Sequence, residues 1–177
     1  MASILNVDKI RRAAGSTDAL VIDSGDRVTT PTRPAFFVSY DASSTSGLTG
    51  IINFNTVHTN IGSHFDISND RFVAPIAGLY HFSFSGLGSE NSSGGVATSG
   101  TPVRSEIQYS TDSGSSYTTF AHAYGSVTSS NHWSSVGCSG TVSLASGAWV
   151  VVNMTAGYAY GDTSGRYDPR FSGFLVG

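Results

Sequence analysis

The stretch Phe54–Phe84, FNTVHTNIGSHFDISNDRFVAPIAGLYHFSF, decides the fold. Its last seven residues set Tyr80, Phe82 and Phe84 in alternation with Leu79, His81 and Ser83. A period of two belongs to a strand, and one face of this strand is wholly aromatic. Burying each ring contributes roughly 1.5–3 kcal/mol, which makes this the expected central strand of the core. Pro75 and Gly78 bracket a turn just before it, because Pro fixes φ and Gly accepts φ > 0.

Working outward, the chain from Pro34 onward offers about nine strands, at roughly 35–40, 50–57, 70–74, 78–86, 103–110, 117–124, 132–144, 148–156 and 169–176. Val150, Val152 and Met154 alternate with Trp149, Val151 and Asn153. Both sets are largely apolar, so this strand is expected to be buried on both faces, one toward the core and the other toward a trimer axis. LGSENSSGGVATSGTP, Leu87–Pro102, and GYAYGDTSGRYDP, Gly157–Pro169, read as two long loops. Short strands separated by Gly-rich turns, with no helical period, indicate an all-β sandwich or jelly roll.

The spacing of Phe54, Asn60, Phe65, Phe72, Gly78, Tyr80, Phe82 and Phe84 resembles the signature of the complement-1q globular-head family, which shares its jelly roll with tumour necrosis factor. PAFFVSY at Pro34–Tyr40 resembles that family's opening strand and FSGFLV at Phe171–Val176 its closing strand. The resemblance covers most of the chain. It implies a jelly-roll β-sandwich of about nine to ten antiparallel strands that assembles as a tight homotrimer and recognises other molecules; it does not imply catalysis. Some family members bind calcium through Asp residues before the strand placed at 132–144. The corresponding segment here, Ser126–Ser135, has no carboxylate, and Gly147-Ala148 stands where the family often has Gly-Asp, so that site is not carried over.

Lys and Arg total 9 against 12 Asp and Glu, a net charge of −3, and there is no basic run, so nucleic-acid binding is not expected. Charged residues make up only 12%, about half the usual share. Ser, Thr, Gly and Asn take their place and can offer neutral hydrogen-bonding groups. The single cysteine, Cys138, allows no intrachain disulfide and reads as a small core residue. No apolar run approaches the roughly 20 residues of a membrane helix. MASILNVDKIRR has no apolar core followed by a cleavage site, so a cytosolic product without a signal peptide is expected.

Residues 1–33 form a distinct N-terminal segment, and 34–177 the head domain. Two apolar patches, Ile4–Ile10 and Ala19–Ile22, precede a tight turn at Asp23-Ser24-Gly25-Asp26. So short a segment cannot bury a core alone, so it is either unstructured or packed against identical copies. Ile4–Ile10 and Ala19–Thr29 resemble the short β-repeats and collars that lead into the heads of bacteriophage tail fibres. Pro31 and Pro34 stiffen the link to the head.

Candidate chemistry is sparse. His58, His64, His81, His122 and His132 show no zinc-like spacing, although one His per chain on a threefold axis would supply three ligands. No cofactor is expected. Asp162 and Asp168 offer at most a weak ion site. Ser110–Tyr117 resembles the Asp-box hairpin of sialidases, a structural device. There is no Gly-x-Ser-x-Gly elbow and no carboxylate pair in an apolar setting, so an enzyme is not expected. The sequons at Asn91 and Asn153 have no expected use without a secretory route.

Trp133, Tyr158, Tyr160 and Asp162 are the candidate ligand-binding residues, with Tyr124 a further aromatic to consider. Tyr and Trp give flat contact area suited to sugars. The alternative for Tyr158 and Tyr160 is burial in the core or at a subunit interface. The expected function is a non-enzymatic virion protein, the trimeric head of a bacteriophage tail fibre. Its N-terminal segment would join other tail proteins, and its loops near 88–101, 126–133 and 157–168 would contact a host surface receptor, a glycan or protein. The alternatives are a soluble lectin-like adhesion module outside a virion and, further off, a polysaccharide depolymerase.

Overall fold

The computed structural model describes residues 7–11, 13–16, 18–41, 46–91, 100–127, 133–162, 164–165 and 167–177, and no helix occurs among them. In chain order the strands are β1 (Lys9–Ile10), β2 (Leu20–Ile22), β3 (Val28–Thr29), β4 (Ala35–Ser39), β5 (Ser46–Ile51), β6 (Thr56–Ile61), β7 (Phe65–Asp66), β8 (Arg71–Val73), β9 (Gly78–Ser85), β10 (Leu87–Ser89), β11 (Thr101–Ser110), β12 (Thr118–Val127), β13 (Trp133–Ser135), β14 (Cys138–Leu144), β15 (Trp149–Gly161) and β16 (Arg170–Leu175). From β4 onward they form a jelly-roll sandwich. One sheet has five strands in the order β14-β9-β16-β4-β6. The other has eight strands around β15, which pairs with β11 and β10 and also with β5 and β8.

β9 lies inside the five-stranded sheet, between β14 and β16, and buries Tyr80, Phe82 and Phe84. Their rings join Phe36, Phe54, Phe65, Phe72 and Phe171 in one aromatic core. Phe72 sits edge-on to Phe82 at 5.5 Å, and Phe36 packs edge-on to Phe171 at 5.0 Å. Such geometry adds about 0.5–1.5 kcal/mol per pair beyond burial. Gly173 is where β16 crosses this cluster. A Cβ there would lie 2.4 Å from a Phe82 ring carbon and 2.7 Å from one of Phe36, so only glycine lets the strand approach. Asn60 has a different task. Its side-chain amide accepts from the Phe65 N–H at 3.0 Å and donates to the Phe65 carbonyl at 2.9 Å. That bracket closes a turn whose Gly62 and Ser63 both take positive φ.

Two strands expected as single runs are each divided between the sheets. The run at 50–57 is β5 and β6, which lie in opposite sheets. Between them the chain crosses the core with Ile52 and Phe54 buried, while Asp70 accepts from the Phe54 N–H at 2.8 Å and the Asn53 amide at 2.9 Å. The run at 132–144 is β13 and β14, again in opposite sheets. Buried Val136 makes the corner, its N–H donating to the Gly86 carbonyl at 3.0 Å. These two divisions, together with the short strands β7 and β10, account for thirteen head strands against the nine or ten expected. β15 also runs further than expected, through Tyr158 and Tyr160 to Gly161, so the late loop begins five residues beyond its expected start at 157.

β15 is buried on both faces, as its pattern indicated, but its second face needs no trimer axis to cover it. Val151 is 1% exposed within the single chain, and the Arg71 guanidinium lies 3.6 Å over the Trp149 ring. In the N-terminal segment, β1, β2 and β3 form a three-stranded antiparallel sheet. Its Asp23 turn is as expected: the carboxylate accepts from the Gly25 and Arg27 N–H groups and meets the Arg27 guanidinium at 2.8 Å. Cys138 is half-buried against the core, where burial pushes its thiol up.

Candidate functional site

The two ends of the sandwich differ. The base gathers the chain's entry into β4 and its exit from β16: Leu175 N–H donates to the Pro34 carbonyl at 3.0 Å, and Leu79 N–H to the Gly177 carbonyl at 2.9 Å. The Asp112 hairpin lies at this end too, between β11 and β12. Its carboxylate accepts from the Ser116 hydroxyl, the Ser110 hydroxyl and the Ser116 N–H, which hold it down at about 2. The opposite end, the tip, collects the exits of β4, β9 and β15, the entry of β16, and β13.

A cavity of about 540 Å³ opens at the tip, within the range of small-ligand sites. Phe37, Asp41 and His58 form one wall; Asp162, Ser164, Gly165, Asp168 and Arg170 form the other. The first wall is fixed by β4 and β6. Phe36 and Val38 point into the core, so Phe37 and Ser39 point out, and the His58 ring stacks on Phe37 at 4.6 Å. Ser39 Oγ donates to Asp41 Oδ1 at 2.5 Å and lies 2.8 Å from His58 Nε2. A Ser, a His and an Asp in this order are not a nucleophilic relay. The hydroxyl proton is already directed at the carboxylate, and Ser39 is only 2% exposed. The Ser39 bond is also the main reason the Asp41 carboxyl is held below its usual range.

The second wall is a Gly-rich loop tied to itself. Asp162 Oδ1 accepts from the Ser164 N–H at 3.0 Å and its hydroxyl at 2.6 Å, and Arg170 donates to the Gly165 carbonyl at 3.1 Å. Gly165 takes φ +67°, which lets the loop turn back. Asp168 and Arg170 also line a second recess of about 190 Å³, with Ser85, Gly86, Leu87 and Tyr167. Beside it stands an aromatic patch. Trp133 and Tyr167 stack at 6.4 Å with 14° between their planes, and Tyr160 lies 5.7 Å from Trp133 and 6.2 Å from Tyr167. Trp133 and Tyr167 are 36% and 41% exposed, whereas Tyr160 is 8% exposed and backs the other two.

Of the four candidates, Asp162 lines the larger cavity, and Trp133 and Tyr160 build the patch. Tyr158 is half-buried on β15 opposite Ser89 and lines neither recess. Tyr124 is exposed on β12 but also lines neither. Phe37, Asp41 and Arg170 went unread; His58 was weighed only as a metal ligand, and Tyr167 entered only as part of the late loop. The signature residues are structural: all six aromatics are buried, and Asn60 closes its turn. Among the described residues no three His, Cys, Asp or Glu side chains stand where they could share a metal ion. His64 is packed over Gly62, and burial lowers it; His132, residues 92–99 and residues 128–132 lie outside the described residues.

The profile of the C1q domain matches residues 35–176. Complement C1q tumor necrosis factor-related protein 3 of Mus musculus is 33% identical over 145 residues, covering 80% of this chain and 50% of that protein. The Homo sapiens protein of the same name is 32% identical over 145 residues, with the same coverage. The chain thus spans about half the length of the curated relatives it matches. Among solved structures, the globular domain of zebrafish complement 1qA aligns with a TM-score of 0.60 over 82% of this chain and 98% of that one. At 16% identity this is a likeness of fold.

Proposed function

The chain belongs to the C1q domain family, whose domains are generally non-enzymatic recognition modules, and on that premise we propose that it is a trimeric attachment head that grips a surface glycan with its tip. One observation carries the proposal. At the end of the sandwich away from both β4's entry and β16's exit, an aromatic patch stands beside a cavity lined with carboxylates, a serine hydroxyl and a guanidinium. Rings stack on the apolar face of a sugar while the polar groups bond its hydroxyls. The outer face of the five-stranded sheet supports the trimer. Phe174, Val176, Leu79 and Ile61 lie exposed on it in neighbouring rows, and other copies would cover them.

The finer assignment is a bacteriophage tail fibre or similar appendage, with the N-terminal sheet joining the shaft. The support is that sheet itself: strands of two or three residues with Ile10, Ile22 and Val28 exposed need a partner to be stable. Three heads per tip would raise avidity over a single weak contact by orders of magnitude. A second reading, a soluble lectin-like module outside any virion, is favoured by the mammalian relatives. Adsorption separates them. The purified trimer should bind host bacterial cells and block infection by the virion that carries it. A trimer that binds glycans but neither binds those cells nor competes would favour the soluble module, and binding to no glycan at all would remove both readings.

A further inference from the structure

We infer that the tip site is a two-part groove for an extended oligosaccharide and not a pocket for one terminal sugar; this rests on the glycan reading above. The two recesses are not independent. Asp168 and Arg170 line both, so the larger cavity and the smaller one meet across this pair. Tyr167 lines the smaller recess and stacks with Trp133, which extends the track from the cavity onto an exposed aromatic shelf. A single sugar in the larger cavity, between Phe37 and the Asp162 loop, would leave that shelf unused. Further sugar units would cross the Asp168–Arg170 divide, where one carboxylate and one guanidinium offer an acceptor and donors for hydroxyls. They would then lie over the Trp133–Tyr167 pair.

The two parts differ in chemistry, which gives the groove a direction. The cavity is polar on its loop wall, with Asp162 and Ser164 already bonded to each other and held in place. The shelf is apolar, and buried Tyr160 supports it from behind. Asp168 on the same wall is buried, and a buried polar group discriminates between ligands more sharply than an apolar contact does. The cavity should therefore choose which sugar is bound, and the shelf should set how tightly a longer chain is held.

The test is a glycan array of bacterial-surface and mucin-type sugars on which each sequence is printed as the mono-, di-, tri- and tetrasaccharide, probed with the full-length trimer. Affinity should rise about tenfold or more from monosaccharide to tetrasaccharide, a change of about 1.4 kcal/mol. Tyr167→Ala and Trp133→Ala should each flatten that rise. In a Trp149→Phe background, which leaves Trp133 as the sole tryptophan, the trisaccharide should shift the emission and the monosaccharide should not. Melting curves matching the parent would show that both alanine variants fold. Affinity independent of length, or a rise that survives both substitutions, would overturn the groove while leaving glycan attachment standing. Binding to no printed sugar would overturn both.

Discussion

The outer surfaces of the two sheets solve the same problem in opposite ways. On the eight-stranded sheet, Glu106 is 5% exposed yet satisfied within the chain. It accepts from the Gln108 amide at 2.6 Å, from the Thr155 hydroxyl at 3.2 Å and from the Thr119 hydroxyl, and it meets the Arg104 guanidinium at 2.8 Å. Asn153 extends the ladder through Gln108 at 3.1 Å. This network closes within one chain. On the five-stranded sheet, His81, Phe174, Ala35 and Ile61 form one row across four strands, and Leu79 and Val176 lie beside it. Nothing in the described chain closes over that apolar patch; Phe174 is 46% exposed. Further toward the tip the same face turns polar, through Ser139, Ser83, Ser172 and Thr59, until it reaches the cavity at Phe37 and Arg170. One face carries a polar network closed by its own side chains and the other leaves an apolar patch open, so the proposed assembly and the folding of the chain would draw on different residues.

The contrast breaks most visibly at Phe174. Phe174→Glu should turn trimer into monomer by light scattering, because a carboxylate without a counter-charge in an apolar contact is disfavoured by several kcal/mol. The tertiary circular dichroism of the monomer should survive. Glu106→Ala tests the other side. It leaves the Arg104, Gln108, Thr119 and Thr155 donors without their shared acceptor, which should lower unfolding stability in urea by about 1–3 kcal/mol while the trimer persists. Acid sharpens the same point. Burial raises the Glu106 carboxyl, but bonds from Thr119 and Gln108 and the Arg104 charge bring it below its ordinary 4.5. Its contribution is then present above about 4.5 and is lost as pH falls through the lower folded value, so stability should decline in acid and more steeply than in Glu106→Gln. The smallest effect should come from Asp112→Ala. It frees the base hairpin, whose carboxyl sits at about 2, and should show as faster amide exchange at Gly114 and Ser116 with the glycan profile unchanged.

The core was legible because burial leaves a periodic trace. The alternation of Tyr80, Phe82 and Phe84, and the doubly apolar run at Val150–Met154, each name a strand without further context. The corners were not. Ile52–Asn55 and Val136–Gly137 look like strand continuations, since residues crossing a core are as apolar as those lining it. The site was half legible. Trp133, Tyr160 and Asp162 stood out by residue type in Gly- and Ser-rich surroundings. Phe37 and Arg170 were invisible, because they lie on the outward-facing positions of the opening and closing strands. Only the antiparallel pairing of β4 with β16 brings them to one cavity.

That pairing has a mechanical meaning as well. The chain enters β4 at the base, the cavity lies at the far end of the same strand, and β16 and β6 flank it along its length. A tether pulling on the N-terminal side against a ligand held at the tip would load β4 along its own axis. Hydrogen bonds on both flanks would then resist together in shear; they would not unzip one after another.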